Sequence, residues 1–547
     1  MLEGCVPWPE ELAARYRAEG LWLGLTIFEM VERTAARTPD KVAVVCGERR
    51  LTYAELVATA ARLGAAFHAH GLRALDRVVV QLPNGLDFVF VYLALTRIGA
   101  IPVMALRAHR HAEVEHFINA SGAVAYVIAD VVGSFDYREM AAEMQAKFPA
   151  LRSVIVAGEP HAGQIALRTL LDAPASAATG ATEAPIPRPD PGDVATMLLS
   201  GGTTSMSKLI PRTHDDYVLN ARLCAQAAGF DAETVLLAIL PLGHNYNLAS
   251  PGMLGVFHAG GTLVVATATD TDHVFGLVER ERVTVIAAVV PLISNWLNAG
   301  VPQRYDLASL EVVQNGGARL PPELRARLRS EFGCIPQEIY GTAEGLINMT
   351  RRDDADEELL HSSGAPVSEQ DEIKVVGDDE REVADGEPGE LVTRGPYTIR
   401  GYYRAAAKNA EAFMPGGWYK MGDIVRRRGR HVYAEGRRKD LINRGGEKIN
   451  CDEIESLLVA HPKVKLAALV GMPDAVFGEK ACACVVPQAG VTLTLDELVA
   501  FLRLQRIASF KLPERLELMA EFPLSPVGKI LKRRLREMIE ARLAAGR

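Results

Sequence analysis

From residue 41 onward, short apolar runs alternate with longer stretches whose apolar positions recur every three or four residues. Strand-like runs at 41–45, 77–82 and 101–104 bracket helix-period stretches at 53–70 and 86–98. Strand, helix and strand at this spacing predict an α/β architecture with largely parallel strands. The stretch 173–190 is rich in Ala, Pro, Gly and Thr and reads as a surface connection. After Gly436-Arg437-Arg438-Lys439-Asp440 the character changes to a compact strand, helix, strand, helix pattern that runs from about residue 441 to the end. The pattern therefore predicts a large N-terminal body of several subdomains, residues 1–438, and a small, mobile α+β domain, residues 439–547. No repeat of 20 to 50 residues is apparent.

Composition narrows the function classes. A chain of 547 residues with 48% hydrophobic and 23% charged residues has ample material for more than one core, which excludes disordered and fibrous classes. A formal net charge of -8 argues against a nucleic-acid or anionic-membrane partner, since neutralising phosphates needs a clustered excess of Lys and Arg. Local basic runs such as Lys532-Arg533-Arg534 read as solvated helix faces. The start lacks a basic region followed by an apolar run, and the apolar stretch from Val283 to Leu292 is broken by Pro291 and too short for a bilayer. A cytoplasmic enzyme is the expectation. The seven cysteines have irregular spacing, and Cys482-Ala483-Cys484 lacks a second ligand pair, so they read as reduced core residues.

The first chemical signal is a strand, Leu198-Leu199, running into Ser200-Gly201-Gly202-Thr203-Thr204-Ser205-Met206-Ser207-Lys208. Gly lets backbone N–H groups approach a polyphosphate, and the hydroxyls add donors. The loop is not a Walker A motif, because the spacing before Lys208 differs and Leu209 stands where a hydroxyl would meet the metal. Alone, it reads equally as a flexible Ser/Gly turn. It is followed, in order, by Ile210-Pro211-Arg212-Thr213-His214, Gly243-His244-Asn245-Tyr246, Gly316-Gly317-Ala318, Tyr340-Gly341-Thr342-Ala343-Glu344, Thr393-Arg394-Gly395-Pro396-Tyr397, Tyr419-Lys420-Met421-Gly422-Asp423, Asn443-Arg444-Gly445-Gly446-Glu447-Lys448 and Pro526-Val527-Gly528-Lys529. Across nearly its whole length the chain thus resembles the adenylate-forming superfamily, and within it the stand-alone aryl-acid adenylating enzymes of the 2,3-dihydroxybenzoate-AMP ligase type.

The resemblance implies ATP and Mg2+ as cofactors and assigns roles that suit the residue types. Ser200, Gly201, Gly202, Thr203, Thr204 and Lys208 would hold the phosphates. Gly317, Ala318, Ile339 and Tyr340 would frame the adenine. Asp423 would accept the ribose hydroxyls, with Arg437 beside it offering a fork of donors to ribose and phosphate. Glu344 is the hard oxygen ligand that Mg2+ needs while bridging ATP phosphates, directly or through water. Lys529 is the expected catalytic cation, since a positive charge touching both reactants lets a carboxylate approach an α-phosphorus crowded by negative oxygens. His244 joins Lys529 and Glu344 in the implied catalytic set. Lys439 matches the hinge about which the small domain turns between half-reactions, bringing Lys529 to the site in one orientation and the loop 444–448 in the other.

For the acid, the resemblance places Asn245 at the ortho hydroxyl and carboxylate, Tyr246 on the ring, Ser250 at a 3-hydroxyl and Ile347 in the apolar wall. Salicylate-activating relatives typically have Cys at the Ser250 position, so Ser favours 2,3-dihydroxybenzoate, by roughly tenfold to a hundredfold for one buried hydroxyl. Asn247 and Ala249 depart from the commoner Pro and Ser, and Ser205 from the usual Gly, which keeps salicylate and 3-hydroxyheteroaryl acids as alternatives. The expected acceptor is the phosphopantetheine thiol of an aryl carrier protein supplied in trans, as in catechol siderophore assembly, because the chain carries no Gly-Gly-x-Ser-Leu signature. An aryl-CoA ligase shares the adenylation chemistry and differs only in the thiol. A non-catalytic nucleotide-binding protein is disfavoured by intact Lys529, Asp423, Arg437 and Glu344, and a hydrolase built on His214-Asp215-Asp216 lacks ligand partners at metal spacing. A homodimer is compatible with the sequence, which shows no interface.

Overall fold

The computed structural model describes residues 1–173, 186–200, 207–437, 440–445, 447–474, 476–505, 507–525 and 528–546. Among the described residues, the strands of the large body gather into two mainly parallel sheets, one antiparallel sheet and a two-stranded ladder of Val131–Val132 with Phe135–Asp136. The first runs in the order Ala365–Pro366, Gly345–Met349, Ile335–Thr342, Val312–Gly316, Val285–Ala288, Val235–Ala238, Thr262–Val265, Val42–Cys46, Arg49–Thr52. The second runs Leu209–Thr213, Val194–Leu199, Ile101–Met104, Arg77–Gln81, Ala125–Ala129, Ser153–Ala157, Ile165–Ala166. The pairs from Val42–Cys46 across to Ile335–Thr342 in the first sheet, and from Val194–Leu199 across to Ile165–Ala166 in the second, are parallel, as the alternating pattern predicts, while Gly345–Met349 returns antiparallel to Ile335–Thr342. Strands such as Ala125–Ala129 and Val285–Ala288 are buried throughout because helices cover both faces.

Local sequence explains where the helices begin. Thr52 caps Tyr53–Ala69 by accepting from the Glu55 amide at 3.2 Å while its own amide donates to the Glu55 carboxylate at 2.8 Å. Thr213 and Asp216 form the same reciprocal cap at the start of His214–Ala228. Each such cap satisfies two amides that the helix would otherwise leave unpaired.

The expectation of largely parallel strands does not extend to the third sheet. Glu372–Val376, Gly389–Arg394, Trp418–Arg428 and His431–Arg437 pair antiparallel, and the connection between the second and third of these carries the short helix Ala406–Ala412. Asp423 therefore lies inside a long strand, opposite Arg437, rather than at a strand end.

The C-terminal segment has its own core. Its sheet orders Glu447–Ile449, Ile442–Arg444, Gly478–Pro487 and Val464–Asp474, with Arg515–Leu518 parallel to Gly478–Pro487. Two hairpins thus stand where single strands are expected, and the class is α+β as predicted. Along Gly478–Pro487 the pleat sends Ala481, Ala483 and Val485 toward the helices Cys451–Val459 and Leu495–Leu504, and Cys482 and Cys484 toward Lys532–Ala544. The seven cysteines are unpaired by disulfides, and Cys482 and Cys484 are core residues. The predicted boundary at 438/439 falls outside the described residues, as does most of the connection at 173–190. No helix among the described residues is long and apolar enough to cross a membrane.

Candidate active site

The two lobes meet at a narrow cleft lined by Leu240, Pro241, His244, Tyr246, Val289, Gly316, Gly317 and Lys529. Lys529 comes from the small lobe, and all the other residues come from the large one. A tight turn presents it: the Lys529 amide donates to Ser525 Oγ at 3.0 Å, and the Ser525 amide donates to the Lys529 carbonyl at 2.7 Å. Gly528 lies against Val289, and Ser294 Oγ donates to the Lys465 carbonyl at 3.1 Å, so the small lobe is seated on the helix Val290–Asn298 and the residue before it. The Lys529 stem passes Gly317, where an added β-carbon would stand 2.8 Å from Cε. Burial first, then the Arg437 guanidinium, push the Lys529 ammonium down to about 8, against the attraction of Asp423 and Glu344.

His244 caps the short helix Asn245–Ala249, its Nδ1 accepting from the Tyr246 amide at 3.3 Å. With Nδ1 an acceptor, the neutral ring carries its proton on Nε2. Burial, helped by the Lys529 charge, pushes its pKa down to about 3. Tyr246 packs its ring against Gly316, where a β-carbon would come within 2.8 Å of Cε1, so only glycine lets that strand approach the ring so closely.

The expected nucleotide residues converge. Tyr340 Oη donates to Asp423 Oδ2 at 2.8 Å, and Arg437 Nε stands 3.5 Å from Asp423 Oδ1. Burial pushes the Asp423 carboxyl up, against Arg437, Tyr340 and Lys529. Along Ile335–Thr342 the pleat sends Ile339 into the apolar cluster of Tyr246 and Ile347, and Tyr340 into that of Leu346 and Met421. These two residues cannot offer side chains to one face of a ligand; what they share is backbone. Gly317 and Ala318 are exposed at the end of the neighbouring strand. Lys208 Nζ lies 4.4 Å from the centre of the Tyr402 ring, and the Lys208 amide donates to Ser200 Oγ at 2.9 Å. Gly201, Gly202, Thr203, Thr204 and Ser205 lie outside the described residues, as does Lys439.

Glu344, 7% exposed, accepts from Tyr402 Oη through Oε1 at 2.8 Å. Among the described residues no group of three or more His, Cys, Asp or Glu side chains forms a metal cage. A single carboxylate suits Mg2+, which keeps several waters and takes its other oxygens from substrate phosphates.

Behind the cleft lies a polar floor. Asn245 Oδ1 accepts from Tyr217 Oη at 2.8 Å, and its Nδ2 donates to Ser250 Oγ at 3.2 Å. Asn220 Nδ2 donates to the Ala249 carbonyl at 2.7 Å and reaches Ser250 Oγ at 3.4 Å. Ser250 and Ile347 are each 2% exposed and stand behind the cleft lining rather than in it. Asn247, a departure from the expected Pro, donates to the Leu240 carbonyl at 2.7 Å, a local hydrogen bond that a proline could not supply. Sequence reasoning passed over Tyr402, which holds Glu344, and Arg212 and Tyr397, which lie within matched blocks; their burial, with Arg212 and Tyr397 fully enclosed, was the missing signal.

Comparison with known proteins bears on these features together. Residues 31–403 match the model of the AMP-binding enzyme family, and residues 453–529 match that of the AMP-binding enzyme C-terminal domain. The chain is 45% identical over 547 residues to the 2,3-dihydroxybenzoate-AMP ligase of Bacillus subtilis, covering 100% of this chain and 99% of that protein. It is 44% identical to the salicyl-AMP ligase / salicyl-S-ArCP synthetase of Mycobacterium tuberculosis, covering 97% and 94%. The apo structure of Mycobacterium smegmatis MbtA is 39% identical, with a TM-score of 0.73 and 98% of each chain covered. With both family matches in place around a cleft where Lys529, Asp423, Arg437 and Glu344 gather, the chain belongs to the AMP-binding enzyme family.

Proposed function

We propose that the protein is an aryl acid-AMP ligase that joins 2,3-dihydroxybenzoate to AMP with release of pyrophosphate, then passes the aryl group to the phosphopantetheine thiol of a separate carrier protein, as siderophore assembly requires. The observation that carries this reading is the cleft in which Lys529 of one lobe meets His244 and Tyr246 of the other. A carboxylate lying over Tyr246 would meet the Lys529 ammonium and the Nε2–H of neutral His244. One of its oxygens attacks the α-phosphorus, a new P–O bond forms, and the bond to the β-phosphate bridging oxygen breaks. Lys529, beside Asp423 and Arg437, offsets the charge that accumulates on the phosphorane oxygens. Glu344 would hold Mg2+, which would supply Lewis-acid neutralisation of the departing pyrophosphate.

In the second half-reaction the thiol sulfur attacks the aryl carbonyl and AMP leaves. Rotation about Lys439 would withdraw Lys529 and bring forward the loop at 444–448. The preference for 2,3-dihydroxybenzoate rests on Ser250, whose oxygen accepts from Asn245 and stands within reach of Asn220, and whose hydroxyl would turn its proton from the Cys224 thiol to a ring 3-hydroxyl. The test is ATP–pyrophosphate exchange with 2,3-dihydroxybenzoate, salicylate and 3-hydroxypicolinate, alongside Lys529→Ala. Exchange strongest with 2,3-dihydroxybenzoate, and reduced on the order of 10²- to 10³-fold by the substitution, supports the reading. A different preferred acid overturns the role of Ser250, and no exchange with any acid overturns the whole. Comparing thioester formation on a carrier domain and on CoA separates the two acceptors.

A further inference from the structure

The hairpin joining Ile335–Thr342 to Gly345–Met349 carries two functional side chains of opposite kind, Glu344 at its tip and Ile347 on the returning strand. Its backbone is unusual: Leu346, fully buried, has φ +47°, a left-handed conformation that a residue with a β-carbon rarely adopts. Such a conformation persists where surrounding contacts over-determine it, and here those contacts come both from within the hairpin and from outside the sheet. The Ile399 amide donates to the Glu344 carbonyl at 2.8 Å, and Thr342 Oγ1 donates to the Gly345 carbonyl at 2.9 Å. Arg212, fully buried and ion-paired with Asp216 at 2.8 Å, donates to the Ala343 carbonyl at 2.9 Å and to the Tyr397 carbonyl at 3.1 Å. Tyr397 then reaches back: the Ile347 amide donates to Tyr397 Oη at 3.2 Å, and that hydroxyl donates to Asp371.

We propose that Tyr397 is a positioning residue for acid recognition, its hydroxyl fixing the Ile347 amide so that the pocket wall keeps its place while Glu344, anchored separately by Tyr402 and Ile399, serves the nucleotide. The assignment rests on the reading of Ile347 as part of the aryl-acid wall. Two features separate it from ordinary core packing. The Tyr397 hydroxyl acts as acceptor for the wall and donor to Asp371 at once, so Asp371 orients the hydroxyl lone pair toward Ile347. The metal-side anchor Tyr402 and the wall-side anchor Tyr397 are different side chains, so the two half-sites can be perturbed one at a time. Asp371 itself is buried, and its carboxyl is pushed up to about 7 by that burial despite the Tyr397 hydrogen bond.

The experiment measures KM for acid and for ATP in pyrophosphate exchange, with melting temperature alongside, for wild type, Tyr397→Phe and the double variant Tyr397→Phe/Asp371→Asn. Phenylalanine keeps the ring and removes only the hydroxyl; the second change relieves the carboxyl left without its donor, but returns no acceptor to Ile347. The expected result is a rise of about tenfold in acid KM in both variants, with ATP KM within about twofold of wild type, whichever way the melting temperature moves. An unchanged acid KM, equal rises for acid and ATP, or recovery of acid KM in the double variant would each overturn the proposal. Absence of exchange in wild type with every acid would instead defeat the reading of the site on which it rests.

Discussion

On the proposed role, Lys529 must work as a cation in a place that discourages charge, and that conflict predicts an alkaline limb in the first half-reaction. Burial and Arg437 lower its pKa to about 8, while Asp423 and Glu344 hold it up. A lysine is charged below its pKa, so activity that needs the ammonium is present below about pH 8 and lost as pH rises through it. About nine-tenths of the free enzyme carries the charge at pH 7, half at pH 8 and about a tenth at pH 9. With acid and ATP both well below saturation, the rate should therefore fall about tenfold per pH unit above pH 8, since under those conditions it reports the free enzyme. Bound triphosphate adds negative charge beside the ammonium, so the limb in kcat should lie at higher pH. His244, pushed to about 3, stays neutral across the range and adds no limb of its own. Lys529→Arg, whose guanidinium does not titrate here, should have a lower plateau but no limb up to about pH 9.5. The assay is pyrophosphate release in single turnover at constant ionic strength, with circular dichroism at each pH to confirm folding. A wild-type profile flat to about pH 9.5, or the same limb in Lys529→Arg, would refute the argument.

Two other substitutions test separate parts of the site. Ser250→Cys replaces an oxygen that accepts from Asn245 with a weakly accepting sulfur, and should lower the kcat/KM preference for 2,3-dihydroxybenzoate over salicylate by roughly tenfold to a hundredfold; an unchanged ratio would remove Ser250 from ring recognition. Gly316→Ala would set a β-carbon 2.8 Å from the Tyr246 ring, and should cost about 1–3 kcal/mol in urea unfolding together with a raised acid KM; full stability would mean that the ring is free to move.

The elements read between residues 41 and 104 were legible because parallel strands buried on both faces read as unbroken apolar runs, and helices as a 3.6-residue period. The runs at 77–82 and 101–104 correspond to Arg77–Gln81 and Ile101–Met104, and the helix-period stretch 86–98 to Leu86–Arg97. Periodicity reports which face is buried, not which partner buries it. It could not show that Trp418–Arg428 and His431–Arg437 pair antiparallel and set Asp423 opposite Arg437 in mid-sheet. The site residues were legible for another reason: Asp423, Glu344, Arg437 and Lys529 stand in blocks that match the adenylate-forming superfamily in order, and that resemblance, not setting or periodicity, assigned their roles. Tyr397 and Tyr402 drew no such role, since a buried tyrosine looks like core until its hydroxyl is traced, across 50 and 58 residues respectively, to Ile347 and Glu344.

The division of labour between lobes follows from where the cores lie. The acid floor of Tyr217, Asn220, Asn245 and Ser250, the wall of Tyr246 and Ile347, and the carboxylates Glu344 and Asp423 all belong to the large body. The small lobe packs around separate clusters of its own and contributes to the cleft one charged side chain on a tight turn. Its seat on the large body includes Gly528 against Val289 and one hydrogen bond from Ser294. A lobe with a self-contained core can leave such a seat without exposing that core, whereas withdrawing any wall residue would open the main body. On the proposed roles, acid selection would therefore stay fixed while the catalytic cation comes and goes. That is the arrangement a two-step reaction needs if one bound acyl group is to serve both steps.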